Sequence, residues 1–225
     1  MHQRLRRLPV SLAAPALIIL SLCQPVIAAD DDGSDASAHV LQAELALHRQ
    51  DYREASREYR MAAELSESAD IARQATRIAT SYGFNEDALK SAERWNDLDK
   101  DSNEALFYLA RLQLRADNLR AARKSYKRLI ERADGPPEEG LLTLIGVITE
   151  ENPESADAIM RWLAKPYRDS AEANYAVAVT ALQAGDDEHA RERVEKAIEI
   201  DPDWLKPRLL YGRVLLVQGD TDKAV

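Results

Sequence analysis

The 225-residue chain has few of the residues that build chemical sites. It carries one cysteine, Cys23, so neither a disulfide framework nor a cysteine-based metal site can be assembled within it. The histidines are His2, His39, His48 and His189, and none stands at ligand spacing from a cysteine or from a second histidine. The patterns G-x-S-x-G, H-E-x-x-H and G-x-x-x-x-G-K do not occur, which removes the nucleophile elbow, the zinc-protease helix and the phosphate loop. Basic charge is in deficit: 30 Lys and Arg face 39 Asp and Glu, a net charge of −9. That balance argues against general binding to nucleic acid or anionic lipid. No catalytic residue, no metal and no cofactor is read from the chain, so it is expected to bind rather than to catalyse.

The one sustained apolar run lies at the start. Arg4, Arg6 and Arg7 precede an apolar stretch from Leu8 to Cys23 that contains Pro9 and Pro15, and Val26-Ile27-Ala28-Ala29 follows. A basic start, a short apolar core and a small-residue end describe a secretory signal peptide over residues 1–29. The run is shorter than the roughly 20 residues of a membrane span. Cleavage after Ala28 or Ala29 would leave no cysteine, and loss of Arg4, Arg6 and Arg7 would leave 27 basic against 39 acidic residues, net −12. A periplasmic product is expected. Membrane contact is expected only if Cys23 is lipidated, and Leu22 stands where a lipoprotein signal has a small residue. Residues 30–35, rich in Asp, read as an acidic flexible leader.

Beyond the leader, one unit repeats. Gly185-Asp186 opens it, Ala190, Val194, Ala197 and Ile198 fall on one helical face, and Asp201-Pro202 closes it. Stepping by about 34 residues places Ala at the same position of six frames: Ala55, Ala88, Ala122, Ala156, Ala190 and Ala224. The partner position on each preceding helix reads Ala43, Thr76, Ala110, Leu144, Ala178 and Gly212. Small residues at both places allow two helices of a hairpin to touch. Each hairpin leaves an apolar face that the next one covers. The fourth frame is the weakest, because Leu144 and Met160 are large. The predicted units are 36–68, 69–102, 103–136, 137–170, 171–204 and a partial 205–225. Trp95 is read as a packing residue. The run Ala133-Asp134-Gly135-Pro136-Pro137-Glu138-Glu139-Gly140 is read as a loop insertion, and Pro153 as the first residue of a helix. A chain ending inside a unit suggests the N-terminal part of a longer protein.

This pattern resembles the tetratricopeptide repeat (TPR). The resemblance implies an all-α solenoid, a right-handed superhelix of antiparallel hairpins whose first helices line a concave groove. Carried onto this chain, the groove positions include Arg73 and Arg77 in the second unit, Phe107, Arg111 and Arg115 in the third, and Tyr175 in the fifth. Arg73 and Arg77 share a helix face, as do Arg111 and Arg115. Forked guanidinium groups suit carboxylates. The groove is therefore expected to hold an acidic or C-terminal carboxylate segment of a protein or peptide partner, with Phe107 as its apolar anchor. The competing reading is that these arginines are solubilising charges with Glu neighbours.

The stretch from Leu41 to Trp95, with Ile71-Ala72-Arg73-Gln74-Ala75-Thr76-Arg77-Ile78-Ala79 at its centre, is similar to a narrower group. These are envelope TPR adaptors of Gram-negative bacteria that partner a carboxy-terminal processing protease. That resemblance implies a scaffold bringing substrates such as cell-wall hydrolases to the protease. Two alternatives stand beside it: a scaffold for envelope assembly in polysaccharide secretion or cell division, and the binding half of a larger enzyme.

Overall fold

The computed structural model describes residues 31–220. The predicted signal peptide, Cys23 and Ala224 lie outside the described residues. Within them the chain forms eleven α-helices and one short 3-10 turn, with no strand. In order they are α1 (Asp31–His48), α2 (Tyr52–Leu65), α3 (Ala69–Ser81), α4 (Asn85–Leu98), α5 (Asn103–Arg115), α6 (Leu119–Arg132), α7 (Pro137–Ile148), α8 (Pro153–Ala164), α9 (Ala171–Gln183), α10 (Asp187–Ile200) and α11 (Leu205–Val217). The 3-10 turn is Lys165–Tyr167. The Asp-rich stretch expected to be a leader is, from Asp31 onward, the start of α1.

Odd and even helices pair as hairpins, and each hairpin packs on the next. The pairing follows from the alanines. Ala55, Ala88, Ala122 and Ala190 are fully buried, as are Ala43, Thr76, Ala110 and Ala178 opposite them. With no bulk at these places the backbones come close, and larger side chains fill the space between hairpins: Tyr59, Trp95, Leu106, Tyr126 and Val194 are all buried. Trp95 is a packing residue, its ring 5.8 Å from that of Tyr108.

In every hairpin but the fourth, the turn repeats as faithfully as the alanines. Gln50, Gly83, Asp117, Gly185 and Gly219 all take positive φ, between 55° and 79°. At each, the next residue's N–H reaches back five residues to a helix carbonyl at 2.9 Å: Asp51 to Ala46, Phe84 to Ala79, Asn118 to Gln113, Asp186 to Ala181 and Asp220 to Leu215. This left-handed closure satisfies carbonyls that the helix end leaves open. Asp51, Asn118 and Asp186 then cap the following helix through their side-chain oxygens.

The fourth hairpin departs from this plan. Leu144, Ala156 and Met160 are buried where the other hairpins have their closest contact, and α7 touches α8 sparingly while packing more fully on α9. Its turn has no positive-φ residue; Glu150 and Glu151 instead donate to Val147 and Ile148 at 3.3 and 3.2 Å. The predicted loop insertion is shorter than expected, because α7 begins at Pro137 and includes Gly140. Proline suits a first helical position, where its missing N–H would have no partner. Gly140 lies where a Cβ would stand 3.3 Å from Ile130 Cγ2, so its smallness lets α7 approach α6. Pro153 opens α8 as expected.

Glycine at a left-handed turn removes a cost that other residues bear. Gln50→Gly should therefore stabilise the chain by roughly 0.5 kcal/mol, and Gly185→Ala should destabilise it by about 1 kcal/mol. Urea titration followed by circular dichroism would check both signs. Ala190→Leu, which fills a closed helix contact, should cost about 1–3 kcal/mol in the same assay.

Candidate functional site

The predicted groove residues lie on α3, α5 and α9. All four arginines already have carboxylate partners within the chain, so the expected free basic patch is not what the structure holds. Arg73 Nη2 meets Asp70 Oδ1 at 2.7 Å, one turn earlier on α3. Arg77 Nη2 donates to Glu104 Oε1 on α5 at 2.6 Å. Arg111 Nε donates to Glu151 Oε1 at 2.7 Å and its Nη2 to Glu150 Oε2 at 2.6 Å. Arg115 donates to both oxygens of Glu151, at 2.9 and 2.6 Å.

These contacts divide the patch in two. The Glu151 side chain is only 5% exposed, and two guanidinium forks enclose it. It comes from the turn that lacks left-handed closure, so a charged clamp ties the fourth hairpin to the third where the alanine contact is missing. Arg111 and Arg115 are thus structural. By contrast, Asp70 is 81% exposed and Glu104 is 42% exposed. Exposed pairs contribute about 0–1 kcal/mol, so Arg73 and Arg77 can exchange them for the carboxylates of another chain. Glu104 and Phe107 share one face of α5, which places half-buried Phe107 beside the Arg77 pair. Tyr175 is two hairpins further along the array, half-buried and packed 5.0 Å from the Trp204 ring. It does not join the arginines.

Burial pushes the Glu151 carboxyl up, but the hydrogen bonds from Arg115 and Arg111 outweigh it and hold it below the usual 4.5. Glu58 on α2 repeats the arrangement. It is 3% exposed, and burial is outweighed by His39, whose Nδ1 lies 2.6 Å from Glu58 Oε2, and by Arg57 at 3.1 Å. His39, which has no role in the sequence reading, is therefore a packing partner between α1 and α2. Burial and the Glu44 carboxylate together raise the Tyr59 hydroxyl to about 12.

Three surface crevices lie mainly among the second helices of the hairpins, one of them reaching α9. One is formed by α2 and α4 with Gly83 and Phe84. Another lies between α6 and α8, beside the 3-10 turn. The third is enclosed by α8, the 3-10 turn, α9 and α10. The last is lined by Arg161, Lys165, Arg168 and Arg193 and by no carboxylate. Sequence reasoning that followed the first helices missed it. The signal was present in part: Arg161, Lys165 and Arg168 stand at i, i+4 and i+7, one face of a helical turn. Among the described residues no cluster of His, Cys, Asp and Glu could hold a metal ion. No described helix is long and apolar enough to cross a membrane.

A depressed carboxylate pKa stabilises the fold above its unfolded value, and that share is lost as pH falls through the folded value. The melting temperature should hold from neutrality to about pH 4.5 and then fall as Glu151 and Glu58 take up protons. Glu151→Gln should lose about 2 kcal/mol at pH 7, because it leaves two guanidinium groups facing an amide. It should also flatten the acid limb of the melting curve. Calorimetry across pH would check both effects.

Residues 83–137 match the family model for the tetratricopeptide repeat. No curated protein matches the chain. Among solved structures it is similar to MamA, at 19% identity over 85% of this chain and 87% of that one with a TM-score of 0.40. It is similar also to YrrB, described as a TPR protein with an unusual peptide-binding site, at 19% identity over 79% and 91% with a TM-score of 0.41. A tetratricopeptide repeat protein from Parabacteroides merdae aligns at 16% identity over 84% and 74%, with a TM-score of 0.40. From Gly83 to Pro137 the chain carries a tetratricopeptide repeat, and the same kind of helical hairpin recurs through the described residues.

Proposed function

We propose that this array is a non-catalytic scaffold for protein partners in the bacterial envelope. In this reading it is exported to the periplasm and brings substrates such as cell-wall hydrolases to a processing protease. The observation that carries the docking part is the state of α3 and α5. Arg73 and Arg77 point from one helical face, their own carboxylate partners are exposed, and Phe107 lies beside them. A partner segment bearing carboxylates can replace Asp70 and Glu104 there at little cost, because both sides of the exchange are ion pairs in water. Its apolar side chain can cover Phe107. The protease and the envelope location rest on the resemblance of the stretch Leu41 to Trp95 and on the export signal read at residues 1–29.

The test is capture from Gram-negative envelope extract, with mass spectrometry of what is retained. The full chain should recover a processing protease together with cell-wall hydrolases. The double variant Arg73→Glu, Arg77→Glu should lose both while keeping its helicity. Recovery of division or polysaccharide-secretion components without a protease would favour the assembly scaffold. Unchanged recovery by the double variant would remove α3 from the docking surface.

A further inference from the structure

The geometry points to a second docking site, on the second-helix face, for an acidic peptide segment that carries one bulky apolar side chain beside its carboxylates. It lies at the corner Lys165-Pro166-Tyr167-Arg168, between the fourth and fifth hairpins. It does not depend on the envelope or protease reading, nor on the first-helix face.

Two crevices meet at this corner and share Lys165 and Arg168. The first, of about 350 Å³, is basic. Arg161 forms one wall and is neutralised inside the chain, with Asp157 Oδ2 at 2.5 Å and Asp186 Oδ2 at 2.7 Å. Lys165 and Arg168 are not. Among the described residues they have no ion pair, whereas Arg193 has a long one, its Nη2 3.9 Å from Glu192 Oε1. Two cations therefore converge without internal neutralisation, beside a weakly paired third, in a chain whose net charge is −9. Such a concentration of uncompensated charge in an acidic protein calls for an anion from outside.

The cavity is also rigidly built. Asn174, 1% exposed, donates through Nδ2 to the carbonyls of Arg168 and Ser170, both at 2.7 Å. Its Oδ1 is thereby turned to accept from Arg193 Nη1 at 3.3 Å. One buried amide thus fixes the corner's backbone and orients a guanidinium toward the cavity. A preformed site loses less on binding than a mobile one.

The second crevice, of about 420 Å³, is largely apolar. Ile130 and Leu163 are buried at its base, with Pro166, Tyr167 and Trp162 around it. Trp162 is 39% exposed, unusual for so large an apolar ring, and tryptophan and tyrosine are favoured anchors at protein interfaces. Because the crevices adjoin, their ligand must present an apolar group and carboxylates within a few ångströms. Alternate side chains of an extended peptide, which share one face about 6–7 Å apart, meet that requirement. An inorganic anion fills only the basic half. A polyanion such as nucleic acid is opposed by the net charge.

The test is selection of a displayed random-peptide library on the full chain, followed by fluorescence anisotropy with the enriched peptides. Enriched sequences should combine acidic residues with an adjacent Leu, Phe or Trp, and should bind less tightly as salt rises. Lys165→Glu with Arg168→Glu, both exposed positions, should weaken binding at least tenfold, and Trp162→Ala should weaken it severalfold. Arg73→Glu with Arg77→Glu should leave it unchanged, which separates this site from the first-helix face. No enrichment, enrichment without acidic bias, or full binding by the Lys165, Arg168 variant would overturn the inference. Binding of phosphatidylglycerol vesicles in place of peptides would also overturn it, assigning the corner to a membrane surface.

Discussion

Everything in this fold rests on how closely two antiparallel helices can approach. Where Ala43 meets α2 near Ala55, or Ala110 meets α6 near Ala122, no side chain separates the backbones. The hairpin then becomes a thin, flat unit with apolar side chains on both faces. A unit of that kind cannot bury its faces alone, and stacking follows. The left-handed turn belongs to the same constraint. At Gly83 or Gly185 it reverses the chain within a few residues, and the reach-back bond from Phe84 or Asp186 closes the end of the first helix. Small contact and tight turn recur together, because either without the other would splay the pair.

The fourth hairpin shows what happens when both are absent. Leu144 and Met160 hold α7 away from α8, and the turn at Glu150 and Glu151 lacks a left-handed residue. Charge takes over there. The Glu151 carboxylate is withdrawn from water and enclosed by Arg111 and Arg115 of the preceding hairpin. Breaking a pair of this kind is costly because it strands charge in a poorly solvated place, even where the intact pair adds modestly. The irregular hairpin also leads into the 3-10 corner. That corner borders the basic crevice between α8, α9 and α10, so the clamp and the crevice both adjoin the irregular hairpin.

Much of this was legible in the residues. The 34-residue spacing, the alanines from Ala55 to Ala190, the packing role of Trp95 and the weakness of the fourth unit all follow from local pattern, because a repeat writes its contacts at a fixed period. The fate of the groove arginines was not. Arg111 and Glu151 are 40 residues apart, and nothing local shows that the fourth turn delivers its carboxylate backward instead of into solvent. Gly140 read as a helix breaker because its real constraint, the nearness of Ile130, lies on another helix. The basic corner was half legible. Arg161, Lys165 and Arg168 announce a face, while Arg193 joins them only through the stacking of α10.

At the fourth hairpin, and nowhere else in the described array, charge replaces helix contact. Native-state hydrogen exchange of the full chain, compared with that of Glu151→Gln, tests it most directly. Protection should fall in α5 to α8 and stay unchanged in α1 to α4. A uniform fall across all hairpins, or no change around Glu151, would contradict it.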